Sequence, residues 1–206
     1  MPHDCDKLLS SFYKENNMAS TLFVISGPSG CGKSTVAAEL LARAENLKLS
    51  ISATTRTPRK GEKDGTHYFF LEEDIFLRMI KENAFYEYAK VFDHYYGTPK
   101  EAVQKMRDEG CDVLLEIDVQ GAMQVKAAEP DAVLIFIMPP SLEELENRLV
   151  SRHTDSAAQL ALRIKKAKEE IDQSVHYDYI VINDDLGTCV ARVFEIYAKY
   201  AQPCAR

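Results

Sequence analysis

The chain has 206 residues, with 32 Asp and Glu against 25 Lys and Arg and a formal net charge of −7. That length suits one domain carrying an insertion, and 46% hydrophobic with 28% charged residues is ordinary for a globular protein. An acidic field of this kind excludes general nucleic-acid or anionic-membrane binding, but it leaves room for a small local anion pocket.

Cys5, Cys31, Cys111, Cys189 and Cys204 form no CxxC pair and are expected as free thiols of a reducing cytosol. The five histidines lack metal-ligand spacing. No apolar run approaches the roughly 20 residues of a membrane span, so a cytoplasmic location without membrane partners is expected. Residues 1–18 lack a signal-peptide core and predict a polar extension, with Met18 an alternative start.

In chain order, "TLFVIS" (21–26) is a short apolar run stopped by Gly27, which predicts a buried strand. "KSTVAAELLARAE" (33–45) carries apolar residues at helical spacing. "LKLSISATT" (47–55) alternates with period two and predicts one half-buried strand. The Tyr/Phe-rich 67–92 segment mixes strand and helix signals. Thr98, Pro99 and Glu101 predict a capped helix start, the helix ending near Gly110.

"DVLLEIDV" (112–119) and "AVLIFIMPP" (132–140) are continuous apolar runs, as in strands covered on both faces. Ser141 with Glu144, and Ser156 with Gln159, predict capping boxes for two following helices. "YDYIVIND" (177–184) is a last core strand and 187–201 a last amphipathic helix. Buried strands alternating with helices predict an α/β fold with a parallel sheet, interrupted by an insertion over about residues 50–98.

"GPSGCGKS", Gly27 to Ser34, fits G-x-x-x-x-G-K-[ST] in full, between a predicted strand and a predicted helix. Glycines let the backbone N–H groups wrap a phosphate chain, and the helix N-terminus adds partial positive charge. Lys33 is expected to reach the β- and γ-phosphates and Ser34 to ligate Mg²⁺. The fold expected is therefore a P-loop NTPase-type parallel sheet flanked by helices. Cys31 lies where a thiol pKa is lowered, although a tolerated small side chain is the favoured view.

"SATTRTPRKGEKDGTHY", Ser52 to Tyr68, concentrates Arg56, Arg59, Lys60 and Lys63 in an acidic chain. It is either a solvated surface loop or an anion site. Arg56 and Arg59 are spaced to grip one phosphate, and Ser52 and Tyr68 bring hydroxyl donors. Asp118 ends an apolar strand where P-loop proteins commonly hold Mg²⁺, and roles toward metal, nucleotide or both stay open.

The motifs "ISGPSGCGKST", "SATTRTPRKGEKDGTHY", "YYGTP", "LLEIDVQG" and "VINDD", in this order, resemble those of the guanylate kinase family over about residues 21–197. The resemblance implies ATP:GMP phosphotransfer, with ATP as donor, Mg²⁺ as cofactor, and GMP and dGMP as acceptors; homo-oligomerisation is left open. It implies a core at 19–51, a GMP-binding subdomain at 52–99, core again at 100–140, a lid with adjoining helices at 141–172, and core at 173–206.

By the same resemblance the ATP side comprises Gly27, Pro28, Ser29, Gly30, Cys31, Gly32, Lys33, Ser34, Thr35, Arg148, Arg152 and Asn183, the last near adenine. Ser52, Arg56, Arg59, Tyr68 and Tyr96 match the holders of the GMP phosphate. Glu87, Thr98, Ser52 and Asp118 match the guanine contacts. Lys33, Arg56, Arg148, Arg152 and Arg163 match the catalytic cations, and Ser34 and Asp118 the metal contacts. His153 stands where the family's lid turn commonly has glycine.

The chemistry agrees with that assignment. Guanine presents N1–H and N2–H₂ donors side by side, and one carboxylate accepts both; adenine would leave it unpaired. Ser52 and Thr98 hydroxyls are expected to donate to O6. Two rivals remain: a P-loop kinase for another nucleoside monophosphate, and a catalytically dead module that grips phosphopeptides with the same loop. The intact Lys33, Ser34 and lid arginines favour an enzyme.

Overall fold

The apolar runs 22–26, 112–116 and 133–138 form strands covered on both faces, as their composition requires. In the computed structural model, which describes residues 20–91, 93–151 and 157–201, five strands make one parallel sheet. They are β1 (Leu22–Ser26), β2 (Leu47–Leu49), β7 (Asp112–Glu116), β8 (Val133–Met138) and β9 (Tyr179–Ile182), in the order β2-β7-β1-β8-β9. β1 is central and pairs in register Ile25↔Glu116 with β7 and Ile25↔Ile135 with β8.

Alternation along β1 feeds two cores. Phe23 and Ile25 pack with Val36, Ala37 and Leu40 of α1 (Lys33–Arg43) and with Val190 and Val193 of α7 (Leu186–Tyr200). Leu22 and Val24 face the other side. There they meet Val103 of α3 (Lys100–Asp108) and Val119, Ala122 and Val125 of α4 (Val119–Ala128). Each fully buried Leu, Ile or Phe of these layers contributes about 1.5–3 kcal/mol relative to exposure.

A second sheet, ordered β4-β3-β6-β5, comprises β3 (Ala53–Thr54), β4 (Phe69–Phe70), β5 (Phe85–Val91) and β6 (His94–Pro99). With α2 (Glu73–Lys81) it builds its own small core of Ala53, Phe76 and Phe85. Phe76 is fully buried and stacks on Phe85 at 4.4 Å and on Tyr95 at 5.5 Å between ring centroids. The sheet meets α4 through Tyr86, which packs against the Val119, Ala122 and Val125 core, and through Gln124, whose side-chain amide accepts from the Tyr88 N–H at 3.2 Å and donates to the Tyr88 carbonyl at 3.1 Å.

Two further helices, α5 (Leu142–Val150) and α6 (Ala157–Asp172), pack through Leu145, Leu149 and Ala167. A 3-10 turn (Gln173–His176) leads back to β9.

Two sequence expectations are corrected here. The alternating 47–55 segment is not one strand: it breaks after Leu49, giving β2 to the parallel sheet and β3 to the second. Alternation registers half-burial, but it does not distinguish one sheet from two. The Thr98 capping box does not form either. α3 starts after Pro99 without a side-chain cap: Pro99 is itself the N-cap residue, so Thr98 stands one position outside the helix, and its hydroxyl donates to Glu87 Oε1 at 2.7 Å. The Ser141 cap does form, accepting from the Glu144 N–H at 3.0 Å. Ser156, of the third capping box, lies outside the described residues.

Phe76→Ala is expected to cost about 3–5 kcal/mol. Hydrogen exchange should quicken in 53–99 well before it quickens in β1 and β8. Uniform quickening across both sheets would show that the second sheet has no core of its own.

Candidate functional site

Because β1 and β7 run parallel as neighbours, the segments that follow them emerge side by side. After β1 comes Gly27 to Gly32, and Lys33 opens α1. Gly32 is the N-cap residue at φ 97°, and a Cβ there would collide with the Asn183 side chain, so only glycine fits without strain. Asn183 donates from Nδ2 to the Cys31 carbonyl at 2.7 Å, and Arg148 donates to the Asn183 carbonyl at 3.2 Å. Lys33 Nζ folds back onto the Gly27 and Pro28 carbonyls at 2.7 and 3.2 Å.

Gly27, Ser29, Gly30, Gly32, Lys33, Ser34 and Thr35 line a cavity of about 340 Å³; Pro28 is buried behind it. Cys31 is fully buried and its thiol is pushed up by that burial, so it is a packed small side chain and not a nucleophile.

Glu116, at the end of β7, accepts a hydrogen bond from the Ser34 hydroxyl. Two residues on, Asp118 caps α4 by accepting from the Gly121 N–H at 2.9 Å, and it borders the same cavity. Ser34, Glu116 and Asp118 supply hard oxygen donors of the kind Mg²⁺ takes alongside phosphates and water. The residues present therefore fit that ion as a partial shell completed by a nucleotide. Among the described residues no group of three or more His, Cys, Asp and Glu is placed to hold a metal unaided.

A second cavity, of about 310 Å³, lies between β7 and the second sheet and gathers Ser52, Tyr68, Glu87, Tyr96 and Asp118. Glu87 projects from β5 opposite Thr98 of β6, is 6% exposed, and is pushed up to about 7 chiefly by burial, with Asp118 adding like-charge repulsion. Gly121 explains how a carboxylate fits there: a Cβ on it would approach Glu87 Oε2 to 2.8 Å.

Beside this cavity Arg56 is held on all sides. Its Nη2 donates to both Glu62 oxygens at 2.9 and 3.0 Å, its Nη1 to the Thr57 carbonyl at 2.8 Å, and its guanidinium lies over the Tyr68 ring at 5.6 Å. The Arg56 bond holds the Glu62 carboxyl below its usual range, and Glu62 raises the Arg56 guanidinium in return. Burial keeps the Tyr68 phenol above its ordinary value and hence a hydrogen donor.

Not every expected residue converges. Arg59 is exposed and joins the cluster through its backbone: its N–H donates to the Glu62 carboxylate at 2.7 Å and its carbonyl accepts from the Glu62 N–H at 3.0 Å. Arg148 pairs with Glu144 at 2.9 Å, Arg163 lies half-buried on α6, and Arg152 falls outside the described residues. Thr98 reaches the site through Glu87, to which its hydroxyl proton is committed.

Glu62, Glu116, Gly121 and Lys166 were not singled out by sequence. Glu116 had a signal, since it sits in the same "LLEIDVQG" run as Asp118. Glu62 had one too, as the acid nearest Arg56 and Arg59 in the basic loop. Lys166 had none, being one of several lysines on a helix.

Comparison with known proteins agrees with this geometry. Residues 19–200 match the family model described as guanylate kinase. The guanylate kinase of Caldanaerobacter subterraneus subsp. tengcongensis is 56% identical over 172 residues, covering 84% of each chain. That of Clostridioides difficile is 49% identical over 185 residues, covering 90% of each. The crystal structure of guanylate kinase from Anaplasma phagocytophilum superposes with a TM-score of 0.70 at 37% identity, covering 90% of this chain and 89% of that one. With a phosphate cradle and a carboxylate-floored pocket on one sheet edge, and relatives of this identity over most of its length, the chain belongs to the guanylate kinase family.

Proposed function

We propose that this chain transfers the γ-phosphoryl group of ATP to GMP, and to dGMP, giving ADP and GDP. The observation that carries this is the buried Glu87 in a cavity adjoining the phosphate cradle. A buried carboxylate without a cation is costly. The side-by-side N1–H and N2–H₂ donors of guanine offset that cost, and adenine has no such pair.

In this reading Glu87 accepts both guanine donors. Asp118 and Ser52 complete the base contacts, Ser52 toward O6, and Thr98 orients Glu87. Tyr68, Tyr96 and Arg56 hold the GMP phosphate, and Arg59 closes on it from the rim. Glu62 pre-sets the Arg56 fork. On the donor side the backbone of Gly27 to Gly32, with Lys33, Ser34 and Thr35, cradles the ATP phosphates; Asn183 supports that loop next to adenine.

Ser34 with Glu116 and Asp118 would hold Mg²⁺, which when bound neutralises charge on the nucleotide phosphates. Lys33, Arg56, Arg148, Arg152 and Arg163 offset the charge of two polyanions brought in line. No general base is required, because the acceptor phosphate is already ionised.

We assign residues 52–99 as the acceptor-binding subdomain and 141–172 as the lid. A reducing, cytoplasmic setting is supported by the buried free thiols of Cys31, Cys111 and Cys189. Among the described residues no helix is long and apolar enough to cross a membrane.

A coupled ADP-release assay is expected to show GMP turned over at least about 100-fold better than AMP, UMP or CMP. Preference for any of these three would refute the assignment. Glu87→Gln puts an amide donor against guanine's donors. It should lower kcat/KM for GMP about 100-fold, leaving the KM for ATP unchanged.

Only ionised Glu87 accepts both guanine donors. The apparent KM for GMP should therefore fall about tenfold as pH rises from 6 to 8 through the Glu87 value of about 7. Glu87→Gln should keep only the shallower change from the phosphomonoester's second ionisation near about 6. A wild-type profile no steeper than that of the variant would remove Glu87 from the site.

Glu62→Ala is expected to raise the KM for GMP about tenfold by freeing Arg56 to many rotamers. Tighter GMP binding in that variant would show that Glu62 competes with substrate and does not prepare the site for it.

A further inference from the structure

The acceptor-side and donor-side cavities are separate spaces with a shared wall. Among the described residues three border both: Glu116, Asp118 and Lys166. Two are acids suited to a metal shell, and Lys166 is the cation common to the two linings. Lys33 borders the donor side alone. Any phosphoryl group moving from the cradle to the Glu87 pocket has to cross this wall. In the phosphotransfer reading the two nucleotides approach each other across this wall, next to two acids that repel their phosphates.

Lys166 is built for that position. It lies on α6 three residues beyond Arg163 and so on the same helix face. The neighbouring Ala167 is 1% exposed and packs α6 onto Leu145 and Leu149, which fixes the root of the lysine stem. Lys166 Nζ stands 3.6 Å from Glu170 Oε1, whose side chain is only 13% exposed and lines the donor cavity. That separation is longer than a hydrogen bond, so the pairing leashes the ammonium and leaves its three donors available. A compact charge on a flexible stem suits a group that must follow a moving phosphoryl.

We propose that Lys166 is a further catalytic residue, its ammonium contacting phosphate oxygens of both nucleotides where the two cavities meet. It offsets the negative charge that develops on the phosphoryl oxygens during transfer. This role deepens the phosphotransfer reading above and rests on it.

The test is steady-state kinetics on Lys166→Gln and Lys166→Arg, varying GMP and ATP in turn, with thermal unfolding measured alongside. The Lys166 side chain is 54% exposed, so neither variant should move the unfolding midpoint. Lys166→Gln should lower kcat about 30-fold, less than the 10³–10⁵ of a transition-state arginine because the lysine is half in water. The KM for either nucleotide should change less than about threefold, and Lys166→Arg should bring kcat back to within about threefold of wild type. A fall in kcat smaller than about threefold for Lys166→Gln, or a larger fall that Lys166→Arg does not repair, overturns the proposal. A wild-type enzyme that leaves GMP unphosphorylated would sink the reaction itself, so the two failures are separable.

Discussion

Parallel pairing of β1 with β7 is the constraint on which the site depends. In a parallel sheet the carboxyl ends of neighbouring strands lie on one edge, where ligands of open α/β folds collect. Here the register Ile25↔Glu116 brings the cradle after Ser26 and the acids after β7 to the same height. The hydroxyl of Ser34 then meets Glu116 with no long loop to position either group. Because β1 is buried on both faces by two separate cores, that height is fixed by packing and cannot slip by one residue without inverting Phe23 and Val24.

The second pocket obeys a different rule, set by the cost of an ion out of water. Glu87 is kept in place by one hydroxyl from Thr98 and by space that Gly121 leaves open. Among its described partners none is a cation, and Asp118 pushes against it. A surface carboxylate would be satisfied by solvent and would discriminate little. A buried one under-supplied with donors is selective because the ligand has to bring the missing hydrogens. Arg56 presents the converse case: its charge is already answered by Glu62, so its geometry is settled without any ligand.

Much of this was legible in the sequence because it is local or periodic. Continuous apolar runs named the buried strands, and the Gly27–Ser34 spacing named the glycine-rich turn from strand to helix. What escaped depended on contacts between distant residues. Period-two alternation over 47–55 predicts one strand, although its halves serve two sheets. Thr98 ahead of Pro99 has the composition of a helix cap, but the β5–β6 pairing runs on to Pro99, so the helix starts one residue later and Thr98 faces Glu87. Lys166 is indistinguishable from Lys165 or Lys168 until α6 is docked.

The amide of Gln124 on the Tyr88 backbone has a consequence for solubility and for motion alike. β5 is an outer strand, and its unpaired N–H and C=O groups would otherwise invite a strand from another molecule. A glutamine side chain stands in for that missing neighbour at one residue, acting as a surrogate rung. Being a single side chain with two neutral hydrogen bonds, worth about 1 kcal/mol each, it is also a breakable clasp. The same contact that deters aggregation at the seam can break while Tyr86 keeps β5 packed against the helix core.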